Sequence, residues 1–122
     1  MGKSIKSEEH LLSVSSIRFW DDRKPDKALI LKCVNAAQLA PATCNRQAFK
    51  VIILENREQK TDRSNALNSS MFDATAFRVF IFYNRNNYTE KYSAAIDAGM
   101  FSQNFILEAK NLGLGCCCCY AS

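Results

Sequence analysis

The longest helical pattern in the chain is YSAAIDAGMFSQNFILEAKNLGLG, residues 92–115. It predicts a helix from about Tyr92 to Leu112, which Gly113 and Gly115 then end. Apolar residues lie on almost every face of this helix, namely Ala95, Ile96, Ala98, Met100, Phe101, Phe105, Ile106, Leu107 and Ala109. A helix that is apolar all round is buried on all sides. Because a chain of 122 residues has only a small core, we expect the helix to lie in a subunit interface.

The segments around this helix predict two more helices and three strands. Ser7 is predicted to cap a short helix, and Asp26 an amphipathic helix that Pro41 ends. Apolar residues of the second helix recur at three- and four-residue steps: Leu29, Ile30, Cys33, Val34, Ala37 and Ala40. Strands are predicted at residues 49–54, 77–83 and 116–120. The order of elements predicts a mixed α+β fold in a single domain, residues 1–122.

The net charge, the first residues and the length of the apolar stretches indicate the kind of ligand and the cellular compartment. The net charge is +4, with basic residues scattered along the sequence. This favours an anionic ligand such as a phosphate, and it is too diffuse to indicate nucleic acid. The polar start lacks the apolar segment of a signal peptide, and no stretch is long and apolar enough to span a membrane. We therefore expect a cytoplasmic protein with reduced thiols and no membrane partner.

Two segments carry polar side chains suited to ligand binding. In an extended backbone, Ser16 and Arg18 point to the same side and can pair on a phosphate or a polarised carbonyl. Taken alone, a surface arginine beside a turn serine is the better interpretation. The second segment, residues 41–47, reads PATCNRQ and offers hydroxyl and amide groups. An ordinary helix-to-strand connector explains it equally well by itself.

Three segments in order resemble the nitroreductase family of FMN-dependent enzymes. The family begins with a pattern like Arg-Arg-Ser-Ile-Arg-x-Phe, and residues 15–20 read SSIRFW. A helix then ends in Ala-Pro-Ser-x-x-Asn-x-Gln-Pro-Trp, and residues 40–49 read APATCNRQAF. The family's long helix matches Asp97, Gln103, Asn104, Leu107, Ala109 and the LGLG of residues 112–115. The resemblance covers most of the chain.

This resemblance implies a largely antiparallel sheet flanked by helices, with the long helix at the centre of a homodimer. It implies FMN as cofactor, NAD(P)H as electron donor and a small acceptor such as a nitroaromatic or quinone. It places Ser15 and Ser16 near the phosphate and Arg18 at the N1/C2-carbonyl edge of the flavin, where negative charge develops on reduction. The partner subunit would supply a second group of residues to the same flavin: Pro41, Ala42, Thr43, Asn45 and the supporting Gln47. No side chain is expected to act as a catalytic acid or base, since the flavin carries the chemistry.

The chain departs from the family pattern in ways that define an alternative function. Val14 and Ser15 stand where basic residues are expected, and Ala42 lacks a hydroxyl. Family members also continue beyond the strand that follows LGLG, so we expect a chain that lacks the family's C-terminal portion and binds FMN more weakly. The alternative is a degenerate dimer with a structural or ligand-binding role.

Four consecutive cysteines, residues 116–119, suggest a third hypothesis, a thiol-based metal or redox sensor. Adjacent residues in a strand face opposite sides, so only alternate thiols can share a metal ion. No second cysteine pair or histidine lies near, and His10 is predicted to be a solvated helix residue. We therefore predict no metal site.

Overall fold

A computed structural model describes residues 2–18, 23–55 and 75–119, with the side chains of residues 2–6 left out. Within these ranges lie three helices: α1, Gly2–Ser13; α2, Lys27–Ala37; and α3, Ser93–Asn111. Two strands, β1 (Phe49–Leu54) and β2 (Arg78–Tyr83), form an antiparallel pair. Short 3₁₀ turns span Thr43–Asn45 and Arg85–Asn87. These elements confirm the predicted mixed α+β class.

The predicted helix signals are mostly correct. The Asp26 carboxylate accepts a hydrogen bond from the Ala28 backbone N–H at 3.0 Å, so it caps α2 as expected. α2 ends at Ala37, and a turn carries the chain to Pro41. Ser7, in contrast, lies inside α1 and does not cap it. The helix begins five residues before Ser7, at Gly2, in a mostly polar segment whose one large apolar residue is Ile5.

The end of α3 is a Schellman motif. Gly113 adopts a φ of +78°, the left-handed region that favours glycine. Its backbone N–H donates to the Lys110 carbonyl at 3.1 Å, and the Leu114 N–H donates to the Ala109 carbonyl at 2.8 Å. The chain therefore turns sharply after α3 and carries Leu114 back onto the core.

The core lies between α2, α3 and one face of the sheet. α2 contributes Ile30, Cys33 and Ala37, and α3 contributes Phe101, Phe105 and Ala109. Phe49 of β1 packs on Phe101 with ring centroids 4.8 Å apart. The strands pair from Phe49 opposite Tyr83 to Leu54 opposite Arg78, so β1 is as predicted and β2 begins one residue later.

Within one chain α3 buries a single stripe and leaves Ile96 on its other side 60% exposed, so the burial of its other faces in a subunit interface stays a prediction. The predicted third strand is wrong for residues 116–119, which are in no ladder of backbone hydrogen bonds. Instead, the Ile17 N–H donates a hydrogen bond to the Cys116 carbonyl at 2.9 Å. Tyr120, Phe19 and Trp20 lie outside the described residues. No described helix combines the length and apolar character needed to cross a bilayer.

Candidate functional site

The loop after α2 is fixed to α3 by one buried carboxylate. Asp97 is 1% exposed. Its Oδ2 accepts hydrogen bonds from the Thr43 backbone N–H at 2.8 Å and from the Tyr88 hydroxyl at 3.0 Å. Its Oδ1 accepts from the Thr43 hydroxyl at 3.0 Å. These three bonds join α3 to the segment that follows β2 and to residues 43–47, which we call the binding loop after the role predicted for it.

The binding loop has an unusual backbone. Cys44, Asn45 and Gln47 have φ values of 51°, 53° and 49°, in the left-handed region that non-glycine residues rarely adopt. Each such residue costs about 1–3 kcal/mol and persists only when surrounding contacts hold it. Strain of this kind is often found at ligand sites, which makes the loop a candidate for binding.

Outward-facing groups of the binding loop are free to meet a ligand. The side chains of Asn45 and Gln47 are exposed and make no hydrogen bond within residues 2–18, 23–55 and 75–119. Arg46 points elsewhere: its guanidinium forms an ion pair with Glu90 at 3.0 Å and lies over the Tyr88 ring, 5.4 Å from the centroid. The loop is thus anchored by Thr43 and Arg46 and leaves its amide side chains available.

The Tyr88 phenol has a pKa raised above its usual 10.0, first by burial and then by its hydrogen bond to Asp97. A group whose pKa is raised by folding stabilises the fold below its unfolded value, and that contribution is lost as the pH rises through the folded value. We expect wild type to be more stable than Tyr88→Phe near neutral pH and to lose this advantage above pH 10. Tm values measured across this range test it, with Tyr92→Phe as an exposed control; a constant difference between wild type and Tyr88→Phe would contradict it.

The first predicted binding segment lies along the C-terminal half of α3. Ser15, Ser16 and Arg18 are exposed, and their side chains make no hydrogen bond within the described ranges. The bond from Ile17 to Cys116 holds the segment in place. A Cβ on Gly115 would lie 3.1 Å from the Ile17 side chain, so the second glycine of LGLG permits this close approach.

Two grooves of about 280 and 310 Å³ border this segment and share Val14, Ser15, Ile106 and Cys116. Lys110 lines the first groove and Ser16 the second. The first groove is lined mainly by apolar surface and the second by more polar surface.

The two predicted halves of the site lie at different levels of α3. The binding loop meets the helix at Asp97, whereas Ser15 and Ser16 share a groove with Gln103 and Ile106. At 1.5 Å of rise per residue, these levels are about 9–14 Å apart along the helix axis. Each chain therefore presents the halves separately, and the remaining predicted residues, Pro41 and Ala42, lie with the binding loop.

Asp97 and Tyr88 are residues of this region to which the sequence assigned no part in the site. Asp97 entered only as a match to the long-helix motif. The available signal was its position: it falls on the same stripe of α3 as Ala94, Phe101 and Phe105, where an acid is out of place unless it has partners.

All six cysteines are free thiols, and they differ in environment. Burial, aided by the Glu108 carboxylate, raises the pKa of Cys33 to about 11, and burial raises that of Cys116 to about 11. Cys44, Cys118 and Cys119 are exposed. Among the described residues no group of three or more His, Cys, Asp and Glu side chains is arranged to hold a metal ion.

Cys33 should react with iodoacetamide far more slowly than Cys44 in the folded protein. At a pKa of about 11 rather than 9.0, its reactive thiolate is about a hundredfold scarcer, and the side chain is 0% exposed. Both cysteines lie in one tryptic peptide, residues 33–46, so fragment spectra compare them directly. Unfolding in guanidinium should make the two rates converge. Equal rates in the native protein would show that the core around Cys33 is open.

Comparison with known proteins relates this geometry to one family. The sequence model of the Nitroreductase family matches residues 13–91, more than half of the chain. A search of curated proteins finds no match.

Solved structures agree with the family match. An NADH oxidase, so named, from Clostridium acetobutylicum is 26% identical, with a TM-score of 0.78, over 87% of this chain and 64% of that one. A protein from Parabacteroides distasonis named as an NADH dehydrogenase/NAD(P)H nitroreductase is 25% identical, with a TM-score of 0.79, over 90% and 65% of the two chains. An FMN-dependent nitroreductase from Clostridium difficile, 22% identical, shares the fold with a TM-score of 0.77 over 87% and 61%. The chain thus spans less than two thirds of the length of these structures.

Proposed function

The chain belongs to the nitroreductase family, and on that premise we propose that it is an FMN-dependent oxidoreductase that acts as a homodimer. One observation carries the proposal. The family match over residues 13–91 includes every residue predicted to bind the cofactor, in both segments. The matched region also contains the binding loop with its left-handed residues, a conformation often found at ligand sites.

The donor groups on the surface fit FMN. The hydroxyls of Ser15 and Ser16 and the guanidinium of Arg18 are exposed and suit a phosphate or the electron-rich edge of a flavin. The apolar walls formed by Val14 and Ile106 suit an aromatic ring system. With Ser15 in place of a basic residue, this segment offers one cation, Arg18, so we expect modest affinity.

In the proposed dimer, one copy would supply Ser15, Ser16 and Arg18, and its partner would supply the binding loop. This arrangement follows from the family resemblance, and the different levels of Ser16 and Thr43 along α3 fit it. The partner's loop would then add the groups of Pro41, Ala42, Thr43, Asn45 and Gln47. Large apolar side chains available for a dimer surface include Ile96, 60% exposed, and Leu39, 83% exposed.

Bound FMN would supply the redox chemistry, accepting two electrons from NAD(P)H and passing them to a small electrophilic acceptor such as a nitroaromatic or quinone. The protein's own groups would bind and orient it. Arg18 would favour the reduced form by placing positive charge beside the developing negative charge. The proposal includes a cytoplasmic location, which the six free thiols support.

A visible absorption spectrum of the purified protein, followed by titration with FMN, tests this function. We expect a yellow protein, or FMN uptake that quenches flavin fluorescence, and bleaching by NAD(P)H without oxygen. FMN binding without bleaching would instead support the degenerate, ligand-binding alternative. A colourless protein that takes up no FMN would refute the cofactor assignment.

A further inference from the structure

Asp97 is a buried carboxylate in a position where an apolar side chain would pack. It lies on the stripe of α3 that otherwise buries Ala94, Phe101, Phe105 and Ala109. At 1% exposure it loses nearly all contact with water, and no cation of the described ranges forms an ion pair with it. Burying a carboxylate is costly unless hydrogen bonds replace the lost water. The three bonds from Thr43 and Tyr88 provide that replacement.

These bonds act on the first residue of the strained segment. Thr43 uses both its backbone N–H and its hydroxyl on the two carboxylate oxygens, so its position and its orientation are both fixed. The three left-handed residues follow within four positions. The turn inside the loop is closed by bonds from the Asn45 N–H to the Ala42 carbonyl, 2.9 Å, and from the Arg46 N–H to the Thr43 carbonyl, 3.1 Å.

A strained loop relaxes unless something outside it opposes relaxation. The Arg46–Glu90 ion pair is exposed, and exposed ion pairs contribute little. The buried contacts at Asp97 are therefore the stronger restraint, since hydrogen bonds to a buried charged group are stronger than bonds between neutral groups.

We propose that Asp97 is a positioning residue for cofactor binding: through Thr43 and Tyr88 it holds the binding loop in its strained form, with Asn45 and Gln47 turned outward toward the flavin. This inference rests on the proposed function for its ligand, but the restraint itself is a property of the protein alone. Asp97 touches neither reactant and takes part through the loop that it fixes.

The test compares Asp97→Asn and Thr43→Val with the control Asn104→Ala. Thr43→Val removes only the hydroxyl bond to Asp97 and keeps the shape of the side chain. Asn104→Ala removes another bond from α3, to the Ala36 carbonyl at 3.3 Å, at a site away from the loop. It therefore controls for a general loss of stability.

Hydrogen exchange tests whether Asp97 restrains the loop, and the Kd for FMN tests whether that restraint assists binding of the ligand. In Asp97→Asn and Thr43→Val, the two loop variants, hydrogen exchange without FMN should be about tenfold faster at the amides of Thr43, Asn45 and Arg46. This is the effect expected from losing one hydrogen bond to a charged group. Exchange at the amides of α3 should not change. The Kd for FMN should rise by about tenfold in the same variants. In Asn104→Ala, exchange at these three amides and the Kd for FMN should both stay close to the wild-type values, even if the Tm falls.

The outcomes are distinguishable. If wild-type protein binds no FMN, the proposed function fails, while exchange at the loop amides still decides whether Asp97 restrains the loop. Unchanged exchange in both loop variants overturns the restraint. If exchange quickens but the Kd for FMN is unchanged, the loop does not position the flavin, and the inference is wrong.

Discussion

Phe101→Ala is expected to lower the free energy of unfolding by about 3–5 kcal/mol, which is a large share of the stability of a small domain. Phe101 is 4% exposed and packs between α2 and the sheet, with its ring against Phe49. Truncation removes the buried ring and leaves a cavity that the two-stranded sheet cannot fill without shifting. Urea unfolding followed by circular dichroism measures the loss.

The matched control is Ile96→Ala on the same helix. Ile96 is 60% exposed, so at a protein concentration low enough to exclude a dimer its truncation should lower the free energy of unfolding by no more than about 0.5 kcal/mol. A loss at Ile96 as large as that at Phe101, and dependent on protein concentration, would place Ile96 in a dimer interface. A small loss at Phe101 would mean that the described core is not the one that holds the fold.

Arg18→Ala is expected to weaken FMN binding by about 10- to 100-fold, the range for losing a hydrogen bond to a charged group. It should also lower the reduction potential of bound flavin, because a positive charge near N1 stabilises the reduced form. Arg18 is exposed at the end of the segment that Ile17 ties to Cys116. Fluorescence titration gives the affinity, and equilibration with dyes of known potential gives the second quantity.

Lys32→Ala is the control for Arg18, since it removes the same charge from an exposed position on α2. Arg18→Lys should fall between wild type and alanine, because an ammonium keeps the charge and loses the planar pair of donors. Equal affinity and equal potential in wild type and Arg18→Ala would remove Arg18 from the site.

Features that depend on neighbouring residues could be predicted from the sequence. The Asp26 cap, the β1 span Phe49–Leu54 and the glycine that ends α3 follow from side-chain chemistry within a few positions. The family motifs also located both candidate binding segments, although the roles of their residues remain predictions.

Features that depend on distant partners could not be predicted. The hydrogen bond between Thr43 and Asp97 spans 54 positions, and no pattern of neighbouring residues predicts it. The left-handed φ values of Cys44 and Gln47 are not favoured by their own residue types, and in our proposal the contacts at Asp97 hold them. Residues 116–119 have the composition of a strand, but a strand exists only where a neighbour completes its ladder.

Thr43 and Asp97 lie 54 positions apart, so they are made at different times during biosynthesis. A ribosome releases the N-terminal part first, so a nascent chain exposes residues 41–47 well before Asp97 is made. Until α3 has docked, the bonds from Thr43 to the Asp97 carboxylate cannot form. In our proposal, the loop shape that binds FMN is therefore acquired only after α3 has been made.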